Sequence, residues 1–123
     1  MSKRILVVDD EPNIVMSLEF LMRRAGFEVE VARNGKEALD ALEGTPPDLL
    51  LLDVMMPEFD GYEVCERIRA RPEWNGTKII MLTARGRDVE RERGLALGAD
   101  AYVTKPFSTR DLVEQVKRML GVS

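Results

Sequence analysis

The chain has 123 residues, 45% hydrophobic and 33% charged, which suits one compact domain and leaves no room for a second. A formal charge of −4 argues against general nucleic-acid binding, and the lack of any histidine removes histidine-based triads, most zinc sites and a phosphohistidine role. The lone Cys65 cannot form an internal disulfide, no apolar run reaches membrane-spanning length and the first residues do not resemble a signal peptide, so a cytoplasmic protein is expected.

In chain order, residues 5–8 make a first apolar strand that runs into Asp9-Asp10-Glu11. Ile14, Leu18, Leu21, Met22 and Ala25 then recur at helical spacing, with Pro12 near the start and Gly26 at the stop. Residues 29–32 form a second strand, and Asn34 can cap a helix carrying Ala38, Leu39 and Leu42 that Gly44 ends. The third strand, 49–52, is four leucines followed by Asp53. Tyr62, Cys65, Ile68 and Arg69 suggest a third helix, closed by Pro72. The fourth strand, 79–82, leads into Thr83-Ala84. A highly charged helix over 89–97 follows, closed by Gly98. The fifth strand, 101–103, continues into Thr104-Lys105-Pro106. Ser108 and Asp111 resemble a capping box ahead of Leu112, Val116, Met119 and Leu120.

Five strand–helix units in series imply an α/β fold: a doubly wound parallel sheet in the order 2-1-3-4-5, with five helices on its two faces. Strands one, three and four read as continuous apolar runs, as strands buried on both faces do. In such sheets ligands bind beyond the carboxyl ends of the strands, where the order reverses.

The polar residues stand at those ends. Asp9 and Asp10 follow strand one, Asp53 strand three, Thr83 strand four and Lys105 strand five. Taken singly, each is an ordinary turn or surface residue. Their convergence on one edge has no structural explanation. Three carboxylates together repel one another unless a proton or cation relieves them, and oxygen-only ligands favour a hard ion such as Mg²⁺. Lys105 adds a charge that the metal does not require and a phosphoryl group would; Thr83 offers that group a hydroxyl. Asp53 then reads as a nucleophile for an acyl phosphate.

The segments V-V-D-D-E-P (7–12), L-L-D-V-M-M-P (51–57), D-G (60–61), M-L-T-A (81–84), G-A-D-A-Y (98–102) and T-K-P-F (104–107) closely resemble receiver domains of two-component response regulators. The resemblance spans the whole chain, in order, and implies one receiver domain over residues 1–123 with the flavodoxin-like, CheY-like fold. It implies that Asp53 accepts phosphate from a histidine kinase or phosphotransfer protein. Asp10 and Asp53 would ligate Mg²⁺ directly, Asp9 through water, and Met55 through its backbone carbonyl. Thr83 and Lys105 would hold the phosphoryl oxygens, Tyr102 would act as the aromatic switch, and the Lys105–Pro106 peptide would be cis. The implied role is a signalling switch that acts on a downstream effector, catalyses only its own phosphorylation and dephosphorylation, and contacts neither nucleic acid nor membrane directly.

Other readings of the fold fare worse. A nucleotide or flavin carrier needs glycine and backbone N–H groups after strand one, where this chain has Asp9-Asp10-Glu11-Pro12. A haloacid-type phosphatase would carry its nucleophile there in a D-x-D pattern, which is absent. A receiver-like module that takes no phosphate would not retain every acceptor position. Two finer expectations concern behaviour. Met55 and Arg85 flank the approach of the attacking water in the family; neither can orient that water as a carboxylate or amide could, so slow self-dephosphorylation is expected. Dimerisation through the fourth helix, fifth strand and fifth helix would pair Arg91 with Asp111, although Ala101 and Gln115 stand where that branch of the family carries an acid and a base.

Overall fold

The structure, a computed structural model, describes residues 2–56, 60–84 and 88–122, with the side chains of 84 and 88–91 outside the description. Five strands form one parallel sheet: β1 (Arg4–Val8), β2 (Glu28–Ala32), β3 (Leu49–Asp53), β4 (Lys78–Ala84) and β5 (Ala101–Lys105), in the order β2-β1-β3-β4-β5. Helices α1 (Pro12–Arg24), α2 (Gly35–Glu43), α3 (Gly61–Arg69), α4 (Asp88–Ala96) and α5 (Thr109–Leu120) connect or follow them. Topology, strand order and helix number are those expected from the sequence.

The alternation of side chains along each strand divides the core into two layers. Leu6, Val8, Leu50, Leu52, Ile79 and Met81 pack with Ala38 and Leu42 of α2 and with Val64, Cys65 and Ile68 of α3. Their neighbours Ile5, Val7, Leu49, Leu51, Ile80 and Leu82 pack with Leu18 and Met22 of α1 and with Leu112 and Val116 of α5. The four leucines of β3 are fully buried because both faces of this central strand are covered. At ~25 cal/mol per Å² of apolar surface, each contributes about 2 kcal/mol. The outer strand β5 is only partly buried.

The caps follow the sequence signals. The Asn34 side chain accepts from the Glu37 N–H at 2.8 Å, and Ser108 Oγ accepts from the Asp111 N–H at 3.3 Å. Gly26 and Gly98 take φ of +99° and +109° after α1 and α4, a region that costs residues with a Cβ. One short element was not anticipated: residues Pro72–Trp74 form a 3-10 turn between α3 and β4. It seats Trp74 in the core layer of α2 and α3, with the Arg71 guanidinium 4.1 Å above the ring. Arg69 gathers the same pole of the molecule, donating to the carbonyls of Gly98 and Thr77, each at 2.9 Å, and to Asp100 Oδ2 at 2.9 Å.

Candidate phosphoacceptor site

Parallel strands with short polar ends bring Asp9, Asp53, Thr83 and Lys105 to one edge. The register places Asp53 beside Leu82, Thr83 beside Thr104, and Ala84 beside Lys105. Asp9, one residue beyond β1, still donates its N–H to the Ala32 carbonyl at 3.1 Å and so extends the ladder. Its side chain is fully buried, with Oδ1 accepting from the Glu11 N–H at 2.9 Å, a turn that leads the chain into α1. Asp10 is exposed. Carboxylate oxygens of Asp9, Asp10 and Asp53 all lie within 4.8 Å of one another.

Lys105 closes the cluster. Its Nζ donates to Asp53 Oδ1 at 3.2 Å and to Asp9 Oδ2 at 3.4 Å, with the lysine side chain 27% exposed. One ammonium thus faces two nearly buried carboxylates. Asp53 Oδ1 also accepts from the Met55 N–H at 3.2 Å. Burial and then the neighbouring Asp9 charge push the Asp53 carboxyl from its ordinary 3.8 up to about 6; Lys105 and the Met55 N–H pull the other way and do not win. Three carboxylates and one ammonium leave the site short of positive charge. A group that brings it would be bound, and only oxygen donors are present to hold that group.

The strand alternation also divides the site. Asp53 shares the parity of Leu49 and Leu51, and Lys105 that of Ala101 and Val103, on the α1–α5 side of the sheet. Thr83 shares the parity of Ile79 and Met81, and half-buried Tyr102 packs against the opposite layer. Thr83 is itself buried. Asp53 and Lys105 therefore open onto one face, while Thr83 and Tyr102 lie on the other. A groove of about 880 Å³ leads from Asp53 along the first face, between α1 and the segment after β5. Its lining includes Asp10, Ile14, Asp53, Met55, Lys105 and Phe107. Met55 is 67% exposed at its mouth. The Lys105–Pro106 peptide is cis.

The structure brings together Asp9, Asp10, Asp53, Met55 and Lys105, with Thr83 on the next strand. Arg85, expected beside the water path, lies outside the described residues, as does the side chain of Arg91; Asp111 is exposed on α5. One contributor escaped sequence reasoning. Gly61, the first residue of α3, abuts the Asp53 backbone, and its N–H donates to the Val54 carbonyl at 2.9 Å. The D-G pair at 60–61 was its signal: Asp60 caps α3 by accepting from the Glu63 N–H at 2.9 Å.

Comparison with known proteins identifies the family. Residues 5–117 match the model of the response regulator receiver domain. The chain belongs to that family. Over 120 residues this receiver is 50% identical to the phosphate regulon transcriptional regulatory protein PhoB of Rhizobium meliloti (strain 1021), covering 98% of the chain and 53% of PhoB. The chain thus spans about half the length of that relative. Among solved structures it is similar to a CheY-like receiver domain protein from Methanospirillum hungatei JF-1, with 37% identity, TM-score 0.89, and 98% and 95% of the two chains covered. The chemotaxis protein CheY4 of Vibrio cholerae is 31% identical with TM-score 0.90, covering 97% and 99%. The protein is a receiver of two-component signalling with the CheY-like fold, and no helix among its described residues is long and apolar enough to cross a membrane.

Proposed function

We propose that this receiver takes a phosphoryl group on Asp53 from the phosphohistidine of a sensor kinase or phosphotransfer protein, in a Mg²⁺-dependent reaction, and passes the change to a downstream effector. The observation that carries the reading is the lysine shared by two acids from different strands: Lys105 Nζ stands 3.2 Å from Asp53 and 3.4 Å from Asp9. A structural ion pair needs one acid. A site that must bind a dianionic phosphoryl group beside carboxylates needs a cation held among them at this place.

The donor set fits Mg²⁺, which when bound would neutralise the carboxylates and orient the incoming phosphoryl oxygens. Asp10, exposed toward the groove, and Asp53 are the proposed direct ligands, with the Met55 carbonyl. Asp9 already engages the Glu11 N–H and Lys105, which suits a role through water. In the transfer, an Asp53 oxygen bonds to phosphorus, the P–N bond to the donor imidazole breaks, and that ring leaves with the electron pair. Lys105 and the Thr83 hydroxyl hold phosphoryl oxygens. Thr83 stands on the α3–α4 side of the sheet, so drawing its hydroxyl toward Asp53 frees space for the Tyr102 ring, a two-state shift biased by the phosphate.

The reading extends to a single receiver domain over residues 1–123 acting in the cytoplasm, without direct contact with nucleic acid or membrane, and able to pair with a second copy through α4, β5 and α5. The test is incubation with acetyl phosphate and Mg²⁺ followed by intact-mass measurement. One hydroxylamine-labile phosphate is expected on the wild type and none on Asp53→Asn. An adduct that persists unchanged in Asp53→Asn would sink the assignment.

A further inference from the structure

The start of α3 presses on the acceptor strand. A Cβ built at Gly61 would meet the Asp53 carbonyl oxygen at 2.5 Å, Val54 Cα at 2.8 Å and the Asp53 carbonyl carbon at 3.1 Å. Backbone conformation is not what calls for glycine here, because the positive-φ glycines among the described residues are Gly26, Gly98 and Gly121. Space is. All three opposing atoms are backbone, Asp53 being paired with Leu82 of β4 and Val54 donating its N–H to the Leu82 carbonyl at 3.0 Å, so no rotamer change relieves the overlap. Gly94 and Gly98 also face close neighbours, but those are the side chains of Met81 and Arg69.

We propose that Gly61 is a positioning residue for phosphoryl acceptance at Asp53: the first turn of α3 bears on the peptide that follows the acceptor and sets where its carboxylate stands. This rests on the function proposed above. Met55 N–H donates to Asp53 Oδ1, so the path of residues 53–55 decides both the direction of the carboxylate and the place of the Met55 carbonyl. Asp60 holds the turn by capping α3 at the Glu63 N–H. With acetyl phosphate as donor, an Asp53 oxygen bonds to phosphorus while the bond from phosphorus to the acetate oxygen breaks, and acetate departs with the electron pair. In-line attack tolerates little displacement; an error of about 1 Å can cost on the order of a hundredfold.

The experiment compares Gly61→Ala with Gly98→Ala, reading the acetyl phosphate labelling rate, Mg²⁺ affinity by calorimetry and the urea midpoint. Gly98→Ala is the structural control: its φ of +109° makes alanine costly, at the pole remote from Asp53. The expected result is a loss of roughly 10- to 100-fold in labelling rate and weaker Mg²⁺ binding in Gly61→Ala. Gly98→Ala should lower the midpoint and keep both. Equal rates and affinities in Gly61→Ala and wild type, or equal losses in both variants, overturn the proposal. Should Gly61→Ala not fold, Asp60 decides: Asp60→Ala, which removes the cap, should slow labelling and weaken Mg²⁺ binding, while the capping-competent Asp60→Asn stays close to wild type. No effect in Asp60→Ala, or the same loss in both, overturns it. If the wild type takes no phosphate, the function proposed above fails, and the Mg²⁺ affinities still decide whether Gly61 positions the site.

Discussion

Neutralising Asp53 should stabilise the fold. Asp53 is 4% exposed and carries a carboxyl pushed from 3.8 up to about 6, chiefly by burial and next by Asp9. The folded state therefore binds the proton more tightly than the unfolded chain. Stability linked to Asp53 is full below about pH 4, falls as pH rises toward 6, and stays low above it. The gap corresponds to at most about 3 kcal/mol. Asp53→Asn removes the charge but keeps an oxygen for the Met55 N–H, and Lys105 retains Asp9. Urea denaturation followed by circular dichroism, with EDTA present, should show the variant about 1–3 kcal/mol more stable than wild type at pH 7.5. The difference should shrink to well under about 1 kcal/mol at pH 4, where folded Asp53 is protonated, and approach zero by about pH 3, where the unfolded chain is protonated too. Other acids titrate in this range, but those remote from Asp53 are common to both proteins and cancel in the difference. A variant less stable than wild type at pH 7.5, or a difference independent of pH, would refute the charge account.

Asp10→Asn should weaken Mg²⁺ binding more than Asp9→Asn, measured by calorimetry; equal affinity in wild type and Asp10→Asn would remove Asp10 as a direct ligand. Beryllium fluoride, which mimics the acyl phosphate, should shift NMR resonances from residue 83 through α4 to residue 105, and shifts confined to the surroundings of Asp53 would end the coupling argument. The double substitution Met55→Asn with Arg85→Glu should speed decay of the phosphorylated form on the order of tenfold by giving the attacking water hydrogen-bond partners. An unchanged or slower decay would mean that these side chains do not set the lifetime.

Much of the fold was legible because its signals are local. Leu49 to Leu52 announce a strand covered on both faces, Asn34 and Ser108 announce helix starts, and Gly26 and Gly98 announce stops. The site was legible for a related reason. In a parallel sheet all strand ends of one kind share an edge, so Asp9, Asp53, Thr83 and Lys105 could be brought together from their order in the chain. The turn at Pro72–Trp74 was missed: three residues carry no period, and Trp74 is buried through contacts with distant elements.

What the sequence by itself determined is therefore the list of elements, their order in the sheet and the edge where the polar residues meet. Tertiary structure alone decided how those residues differ. Asp9 and Asp10 are neighbours in the chain, yet one is fully buried against Lys105 and the other faces the groove. Asp53 owes its raised carboxyl to burial beneath neighbouring elements and to Asp9, a residue 44 positions away. The need for glycine at 61 comes from a distance to the backbone of another element, not from the dihedral preferences of its own. Charge environment and close packing depend on atoms that meet only when the sheet and helices have assembled, whereas caps, periods and strand ends are fixed by neighbours along the chain.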